Sequence, residues 1–443
     1  MNPVGLVLIV ATTLFPAYQL FALANVADQI ALFSQYLGLA ALILMAWGQV
    51  LSMRLPGVEA IFGGLDRIYV LHKWAGIVAV AAVLLHDTID AEMRGLGPET
   101  VLSEVAETLG EISLYSLLIL VVISVATFIP YHLWKWTHKA MGALFAAATF
   151  HFFFIMKPFA MTDPAGLYTG LFCLAGIVAY IWTLLPDHIR PSSEYTVANL
   201  EKTGGALAIT MNPTKRGLKV APGQFGVLRF KGHGSDEPHP FSFSKINSDG
   251  SLRVTVKALG DFTTRLEGFV KVGHPVSIQG PFGRFRLSGV GSEVWIAGGI
   301  GITPFLAWAH ALDPEGATVD LFYCVRSRSN APHLAELETM AKAKPNLSIY
   351  LIASTEGKRL SAEIIAETVE GDLAQSKVSF CGPVSLRGAL QTGLRNYGVT
   401  SRRFHFEEFE FRTGIGLKSL AAWIWERRTS KTAANAPKSQ NQH

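Results

Sequence analysis

Leu71-His-Lys-Trp-Ala-Gly-Ile-Val-Ala-Val-Ala-Ala-Val-Leu-Leu-His86 is apolar between two histidines, His72 and His86. A run this hydrophobic predicts a membrane-spanning helix, and an ionisable group inside such a helix is costly enough to demand a use. The two imidazoles stand fourteen residues apart, which is roughly 21 Å along a helix axis at about 1.5 Å per residue. The hydrocarbon core is about 30 Å thick, so the spacing puts one histidine in each leaflet. Fourteen steps at about 100° fall roughly 40° short of four turns, so both rings point to nearly the same side. Two stacked ligands on one face predict two stacked cofactors.

The chain around this stretch has 443 residues, half of them hydrophobic, and a mean hydropathy of +0.31. The apolar excess lies before residue 186, and ordinary globular composition follows. That asymmetry predicts a membrane half and a soluble half, the latter long enough for two domains of about 100–120 residues. The net charge is +4 with no long basic block outside the C-terminal tail, which argues against a nucleic-acid partner. Cys173, Cys324 and Cys381 are scattered singly, so neither a disulfide framework nor a plant-type iron–sulfur domain is possible. Six apolar runs can be marked at 4–24, 33–53, 68–87, 112–130, 137–157 and 165–185. The first lacks a charged n-region and an A-x-A-like site, and so reads as a span rather than a signal peptide. Arg54, Arg67, Lys135, Lys139, His188 and Arg190 collect on one side. Asp28 and an acidic connection with Asp87, Asp90, Glu92, Glu99, Glu104, Glu107 and Glu111 lie on the other. The positive-inside rule then places both termini and the soluble half in the cytoplasm, with Glu59 and Asp66 diluting the first basic loop.

The fifth run repeats the pattern, with His138 and His151 thirteen residues apart. The third and fifth spans run in the same direction, so His72 is level with His138 on the cytoplasmic side and His86 with His151 on the outer side. Each pair is placed to close on one iron, and bis-imidazole haem suits the small neighbours Gly76, Ala79, Ala82, Gly142 and Ala146. The competing reading is a set of interface histidines bonded to neighbouring helices. Zinc is disfavoured, because its ligands crowd into one tetrahedron. His132 lies outside the depth match. Thirteen steps leave the rings of the fifth span about 140° out of phase on an ideal helix, which a bulge, a bend or long-reaching rotamers must absorb.

These spacings, on the third and fifth of six spans, resemble the ferric reductase-like transmembrane domain shared by NADPH oxidases and ferric-chelate reductases. The resemblance implies two b-type haems ligated by His72 with His138 and by His86 with His151. It extends to about residue 411, because the soluble half resembles the matching reductase part.

From Glu194 the chain turns to short β-rich runs, Tyr195–Ala198, Ala206–Met211, Gly226–Phe230, Leu252–Lys257 and Pro275–Ile278, which predict a small antiparallel barrel. Within it, His239-Pro-Phe-Ser-Phe-Ser244 resembles the flavin-binding strand of the ferredoxin–NADP reductase group. By that resemblance His239 and Pro240 lie near FAD, Phe241 packs on the isoalloxazine and Ser242 bonds near flavin N5. An aromatic supplies a stacking plane and a hydroxyl satisfies a ring nitrogen. Lys257 and Gly260-Asp-Phe-Thr263-Thr264 follow at the family's spacing, where amides and hydroxyls at a helix start would hold the pyrophosphate. Gly280-Pro-Phe-Gly283 closes the barrel.

Val294-Trp-Ile-Ala-Gly298-Gly299-Ile-Gly301-Ile-Thr303-Pro304 then runs from an apolar strand through a glycine turn into a helix. Gly299 and Gly301 let the backbone approach a phosphate, Thr303 is an N-cap candidate, and Pro304 suits a first turn. The stretch resembles the family's nicotinamide loop; proline in place of a third glycine separates it from the Rossmann fingerprint. Arg326 and Arg328, after the strand Val319–Val325, fall where the family meets the 2′-phosphate, which favours NADPH over NADH. Cys381, Gly382 and Pro383 match the turn near the nicotinamide. Glu407 and Phe409 match the terminal acid and aromatic, with Phe411 a rival for the aromatic.

The expected fold is therefore an α-helical membrane bundle of six spans, then a β-barrel FAD domain and an α/β nucleotide-binding domain. Its expected divisions are 1–189, 190–289, 290–411 and a tail at 412–443, in which Ile415–Arg428 is a candidate amphipathic helix at a lipid surface. The expected activity is a bacterial-type minimal NADPH oxidase or ferric reductase in the inner membrane. Electrons from cytoplasmic NADPH would pass through FAD and the two haems to an outer acceptor. Oxygen, giving superoxide, is the first choice and a ferric chelate the second; a haem-binding relay subunit without dehydrogenase activity is a remote alternative. Asp90, four residues beyond His86, and the lack of an arginine in the outer half of the second span depart from the oxidase pattern. No regulatory extension is seen, so no obligatory protein partner is expected.

Overall fold

The computed structural model describes residues 3–21, 23, 28–89, 98–125, 129, 131–186, 189–232 and 237–407. It divides into two compact units, Met1–Arg54 with Arg67–Leu184, and Leu55–Asp66 with Leu185–Phe409.

The first unit is helical: α1 (Pro3–Phe21), α2 (Gln29–Ser52), α4 (Leu65–Thr88), α5 (Val101–Val125), α6 (Tyr131–Phe154) and α7 (Pro164–Leu184). Among the described residues, five helices are long and apolar enough to cross a membrane: α1, α2, α4, α5 and α7. α6 has the length, but Lys135, Lys139 and its histidines lower its apolarity. α2 is the buried centre, with Ala31, Ile43 and Ala46 sealed from solvent. Small residues let the helices close: a Cβ on Gly176 would lie 2.5 Å from Phe145 and 3.0 Å from Ala46 Cα.

The acidic connection expected before residue 112 is corrected. Glu104, Glu107 and Glu111 stand within α5, which begins at Val101. The start is set by a reciprocal cap: Ser103 N–H donates to Thr100 Oγ1 at 3.2 Å and Thr100 N–H to Ser103 Oγ at 2.8 Å. No glycine or proline then interrupts the chain until Gly110, and the helix runs through.

In the second unit six strands close a barrel in the order β1-β2-β5-β4-β3-β6. They are β1 (Ser193–Thr203), β2 (Ala206–Pro213), β3 (Phe225–Phe230), β4 (His239–Ile246), β5 (Leu252–Lys257) and β6 (Pro275–Phe282), with α8 (Asp261–Phe269) after β5. Alternate residues of β1, β2, β5 and β6 fill the interior with Tyr195, Val197, Ile209, Met211, Val254 and Ile278. A five-stranded sheet follows in the order β11-β10-β7-β8-β9, comprising β7 (Ser292–Gly298), β8 (Thr318–Val325), β9 (Leu347–Ala353), β10 (Lys377–Cys381) and β11 (Phe404–Glu407). All four pairings are parallel, so both faces must be covered by helices, and the strands read as continuous apolar runs. α9 (Thr303–Ala311) and α10 (Leu334–Ala343) pack around the sheet, together with α11 (Ala362–Thr368) and α12 (Val384–Arg395). The short α3 (Pro56–Phe62), between α2 and α4 in the chain, belongs to this unit and packs on β6.

Glu293 is a fully buried carboxylate in β7. It accepts from Ser288 N–H at 2.9 Å, Gly289 N–H at 3.0 Å and Trp295 Nε1–H at 2.9 Å, which ties the entry of the sheet to its central tryptophan. Glu293→Ala removes the acceptor of three N–H groups, the fully buried Trp295 indole among them, and should cost about 2 kcal/mol of stability. Glu293→Gln, which keeps one acceptor oxygen, should cost less; thermal unfolding of the purified chain checks the ranking.

Candidate functional sites

Four histidines of the first unit, His72, His86, His138 and His151, each set Nδ1 against a group on a neighbouring helix. On α4, His72 Nδ1 lies 2.9 Å from Gly48 O, and His86 Nδ1 lies 2.8 Å from Ser34 O and 3.0 Å from Ser34 Oγ. On α6, His151 Nδ1 lies 2.8 Å from Ala106 O and His138 Nδ1 3.3 Å from Ser124 Oγ. The α4 histidines thus lean on α2, and the α6 histidines on α5. A carbonyl oxygen only accepts, so Nδ1 of His72, His86 and His151 carries the proton and each Nε2 keeps its lone pair. That is the tautomer of a metal-ligating histidine whose other nitrogen is fixed by a carbonyl.

The backing helices leave room for the rings. A Cβ on Gly110 would lie 2.5 Å from His151 Nδ1, and one on Gly38 would lie 3.3 Å from the His86 ring. His72 and His138 face each other with ring centroids 5.8 Å apart. His86 and His151 line one cavity of about 280 Å³ with Gly38, Leu42, Gly110 and Leu114. Among the described residues no group of three or more His, Cys, Asp or Glu is gathered for a metal ion. The structure thus brings the histidines together as the depth match pairs them. α6 is α-helical from end to end with no π-turn, so no bulge takes up the phase gap. His138 stacks on Trp134 at 4.9 Å while reaching Ser124. Ser34, Gly48, Ala106 and Ser124 were not singled out from the sequence. One signal was there: Ser34 and Gly48 repeat the fourteen-residue spacing of the histidines they hold.

In the second unit, Ser242 on β4 is buried, and its Oγ makes no hydrogen bond among the described residues. A buried hydroxyl is costly unless something satisfies it, so Ser242 has a donor and acceptor to spare for a ligand. Ser242 pairs with Phe225 across the barrel seam. Gly283 closes on Phe225: a Cβ there would lie 3.0 Å from its ring and 3.3 Å from Glu407 Oε1. Gly283 N–H donates to Glu59 Oε1 at 3.2 Å. Glu59 is therefore a buried member of this site and not a solvated charge of the first basic loop, a role its sequence context hides. His239 stacks on Phe262 at 3.8 Å, and Phe241 lies against the barrel core. Thr263 Oγ1 accepts from Leu259 N–H and Gly260 N–H at 3.0 Å, which shapes the turn into α8 and leaves Thr264 exposed beside Gly260. Lys257 is half-buried at the end of β5.

The glycine loop divides its work. Gly299 adopts φ +56°, where a side chain is disfavoured, and open space lies above it. Gly298 and Gly301 instead admit the Cys381-Gly382-Pro383 turn: their Cβ atoms would lie 2.6 Å from Pro383 Cδ and 2.2 Å from Cys381 O. Gly301, expected to let the backbone approach a phosphate, is thus already required by backbone packing. Thr303 is not the cap. Ile302 is, and the Thr303 hydroxyl donates to Ile300 O at 3.2 Å, while Pro304 does sit in the first turn. Cys381 is in register with Glu407 on the neighbouring strand. Burial first, and the Glu407 charge second, push its thiol well above the ordinary range, so it stays protonated. Arg326 is exposed, its carbonyl fixed by Thr355, and Arg328 pairs with Glu338 on α10. Phe409, Phe411 and the tail at 412–443 lie outside the described residues.

Three family models match: "Ferric reductase like transmembrane component" over residues 37–149, "FAD-binding domain" over 192–288 and "Oxidoreductase NAD-binding domain" over 295–392. Together they describe an oxidoreductase family with a ferric reductase-like membrane component followed by FAD- and NAD-binding domains, and so a membrane protein. The toluate 1,2-dioxygenase electron transfer component of Pseudomonas putida is 27% identical over 232 residues, 50% of this chain and 66% of the relative. A flavohemoprotein of the same species is 28% identical over 203 residues, 43% of this chain and 52% of the relative. The chain thus spans between half and two-thirds of these relatives' lengths. The crystal structure of the flavohem-like FAD/NAD-binding domain of nitric oxide dioxygenase from Vibrio cholerae is similar at a TM-score of 0.42 and 21% identity, over 49% of this chain and 98% of that one.

Gly301→Ala sets a methyl against the Cys381 carbonyl and should cost about 3 kcal/mol. Gly299→Ala meets only its backbone conformation and should cost about 1 kcal/mol. Thermal unfolding of the two variants side by side checks the order; equal midpoints would contradict this division of roles.

Proposed function

We propose that this chain, which matches the ferric reductase-like family in its membrane half and FAD- and NAD-binding domains after it, is a transmembrane flavohaem oxidoreductase. The single observation that carries the reading is the set of paired histidines, three of them with Nδ1 tied to a helix carbonyl. His72 with His138 would hold an inner b-type haem and His86 with His151 an outer one. The imidazoles of His72, His86 and His151 present Nε2, and Gly38 and Gly110 supply clearance. When bound, FAD takes two electrons as hydride and gives them up singly, and haem iron carries them one at a time across the hydrocarbon layer.

The remaining work is done by side chains and amides. Ser242 supplies a hydroxyl to the flavin ring, with Phe241 and His239 beside it and Pro240 fixing the strand. Lys257, Gly260, Thr263 and Thr264 form the pyrophosphate cradle of FAD. Gly299 leaves the phosphates of NADPH a backbone surface, held in place through Gly298, Gly301, Thr303 and Pro304. Arg326 and Arg328 meet the 2′-phosphate, which favours NADPH over NADH. Cys381, with Gly382 and Pro383, borders the nicotinamide without ionising, and Glu407 holds a charge near the flavin, with Phe409 or Phe411 stacking there.

In this reading residues 1–189 form a six-span haem domain, 190–289 the FAD domain and 290–411 the NADPH domain, with both termini cytoplasmic and the chain in the inner membrane. Electrons leave at the outer face to oxygen, giving superoxide, without an obligatory protein partner. A second reading, ferric-chelate reduction, is favoured by the cavity at His86 and His151: Asp87, Glu107 and Glu111 line it against Lys157, an acidic balance that draws cationic metal complexes.

Membranes carrying the chain should oxidise NADPH and reduce cytochrome c. Inhibition by superoxide dismutase identifies oxygen as acceptor; insensitivity with rapid ferric-chelate reduction rejects the oxidase reading. His86→Ala should remove part of the b-type absorbance and leave the flavin spectrum in place, and an unchanged haem spectrum would sink the ligand assignment.

A further inference from the structure

Away from the redox sites, a polar cluster joins the barrel to the helices of the parallel sheet. Glu336 on α10 receives Arg253 Nη2 at 2.9 and 3.0 Å, His310 Nε2 at 2.7 Å and His333 Nδ1 at 2.9 Å. The far side of the cluster runs into the barrel. His333 Nε2 lies 2.9 Å from Thr255 Oγ1, which lies 3.0 Å from Ser244 Oγ, and Arg253 Nε–H donates to Ser244 Oγ at 3.2 Å. Ser244 is two residues beyond Ser242 on β4. His310 stands near the end of α9, the helix that leaves the glycine loop at Thr303 and packs on β4. One carboxylate therefore links the strand that carries Ser242 to the helix that carries the loop.

The backbone is set for this link. His333 adopts φ +59°, a left-handed conformation that non-glycine residues enter only when their surroundings enforce it. Its N–H donates to Thr203 Oγ1 at 2.9 Å, and Gly204 lies so close that a Cβ would stand 2.3 Å from Pro332 N. Burial alone would raise the Glu336 carboxyl. Hydrogen bonds from His310, His333 and Arg253, and the charge of Arg253, outweigh it and hold the group well below the usual carboxylate range.

We infer that Glu336 is a positioning residue for hydride transfer, clasping the nucleotide domain to the flavin barrel through Arg253, His310 and His333. The inference rests on the proposed function. In that step the C–H bond of the dihydronicotinamide breaks, its electron pair and hydrogen pass to the flavin, and oxidised nucleotide and reduced flavin result, with a solvent proton completing the latter. The rate of such a step falls steeply when the partners are misplaced by even about 1 Å. The clasp touches neither ring, so its loss acts on orientation.

The test is stopped-flow bleaching of flavin absorbance by saturating NADPH in the full chain. Glu336→Gln keeps the shape and removes the charge; it should slow bleaching about tenfold. The half-saturating NADPH concentration, the FAD content and acceptor reduction after photochemical reduction of the flavin should stay as in the wild type. Arg253→Met should give a similar loss, and the double variant no further loss, because the two act through one contact. Wild-type bleaching rates in Glu336→Gln, or losses that multiply, overturn the clasp. If those variants lose FAD, His310→Gln at the exposed edge of the cluster decides: a smaller slowing supports the clasp and a wild-type rate overturns it. A wild-type chain that neither NADPH nor NADH bleaches overturns the proposed function, and the clasp with it.

Discussion

An imidazole buried among apolar helices must have both nitrogens accounted for, and much of this chain's first unit follows from that requirement. The carbonyls of Ser34, Gly48 and Ala106 each give a lone pair to a histidine on another helix. A helix carbonyl already accepts one hydrogen bond along its own axis and has a second lone pair for such use. The geometry constrains the backing helices as strictly as the histidines themselves. α2 and α5 must bring backbone within 3 Å of a ring, which requires glycine at position 110, where a Cβ would lie 2.5 Å from His151, and favours it at 38, where one would lie 3.3 Å from His86. The same bonds fix the tautomer, so the chemistry open to each Nε2 is decided before any ligand arrives.

The second unit answers a related constraint differently. Cys381 and Glu407 stand in register at the ends of β10 and β11, Gly283 lies against Glu407 with its amide held by Glu59 of α3, and Ser242 stands in β4 opposite Phe225. Parallel strands end at a common edge, so the topology gathers side chains far apart in sequence. Gly283 and Gly301 allow the backbone there to pack without side chains between. What is gathered is a protonated thiol beside a carboxylate, while the barrel contributes a buried hydroxyl with no partner among the described residues.

Much of this was legible in the sequence because it rests on local periodicity. The run from Leu71 to His86 announces its helix, and β5 appears at the bounds its apolar run predicts. The glycine loop reads correctly as strand, turn and helix. What was hidden depends on partners distant in the chain. Ser34 and Ala106 act through backbone carbonyls, which every residue has, so no side-chain pattern marks them. Gly301 looks like a phosphate glycine, and its motif does not show the Cys381 carbonyl against it. Glu104 to Glu111 look like a loop because charge is a weaker guide to helix ends than the Thr100–Ser103 cap.

The position of α3 bears on how the chain must be made. Its carboxylate Glu59 holds the Gly283 amide, yet more than two hundred residues of chain separate the pair, and α4 to α7 are synthesised between them. The second unit is thus discontinuous: a chain beginning at Leu185 would carry every strand of the barrel and the sheet but lack the group that satisfies this amide. A ribosome delivers that group before any strand of the barrel. The segment between the second and third long helices therefore has to wait, its acidic residue unused, until the turn at residues 280–283 emerges to meet it.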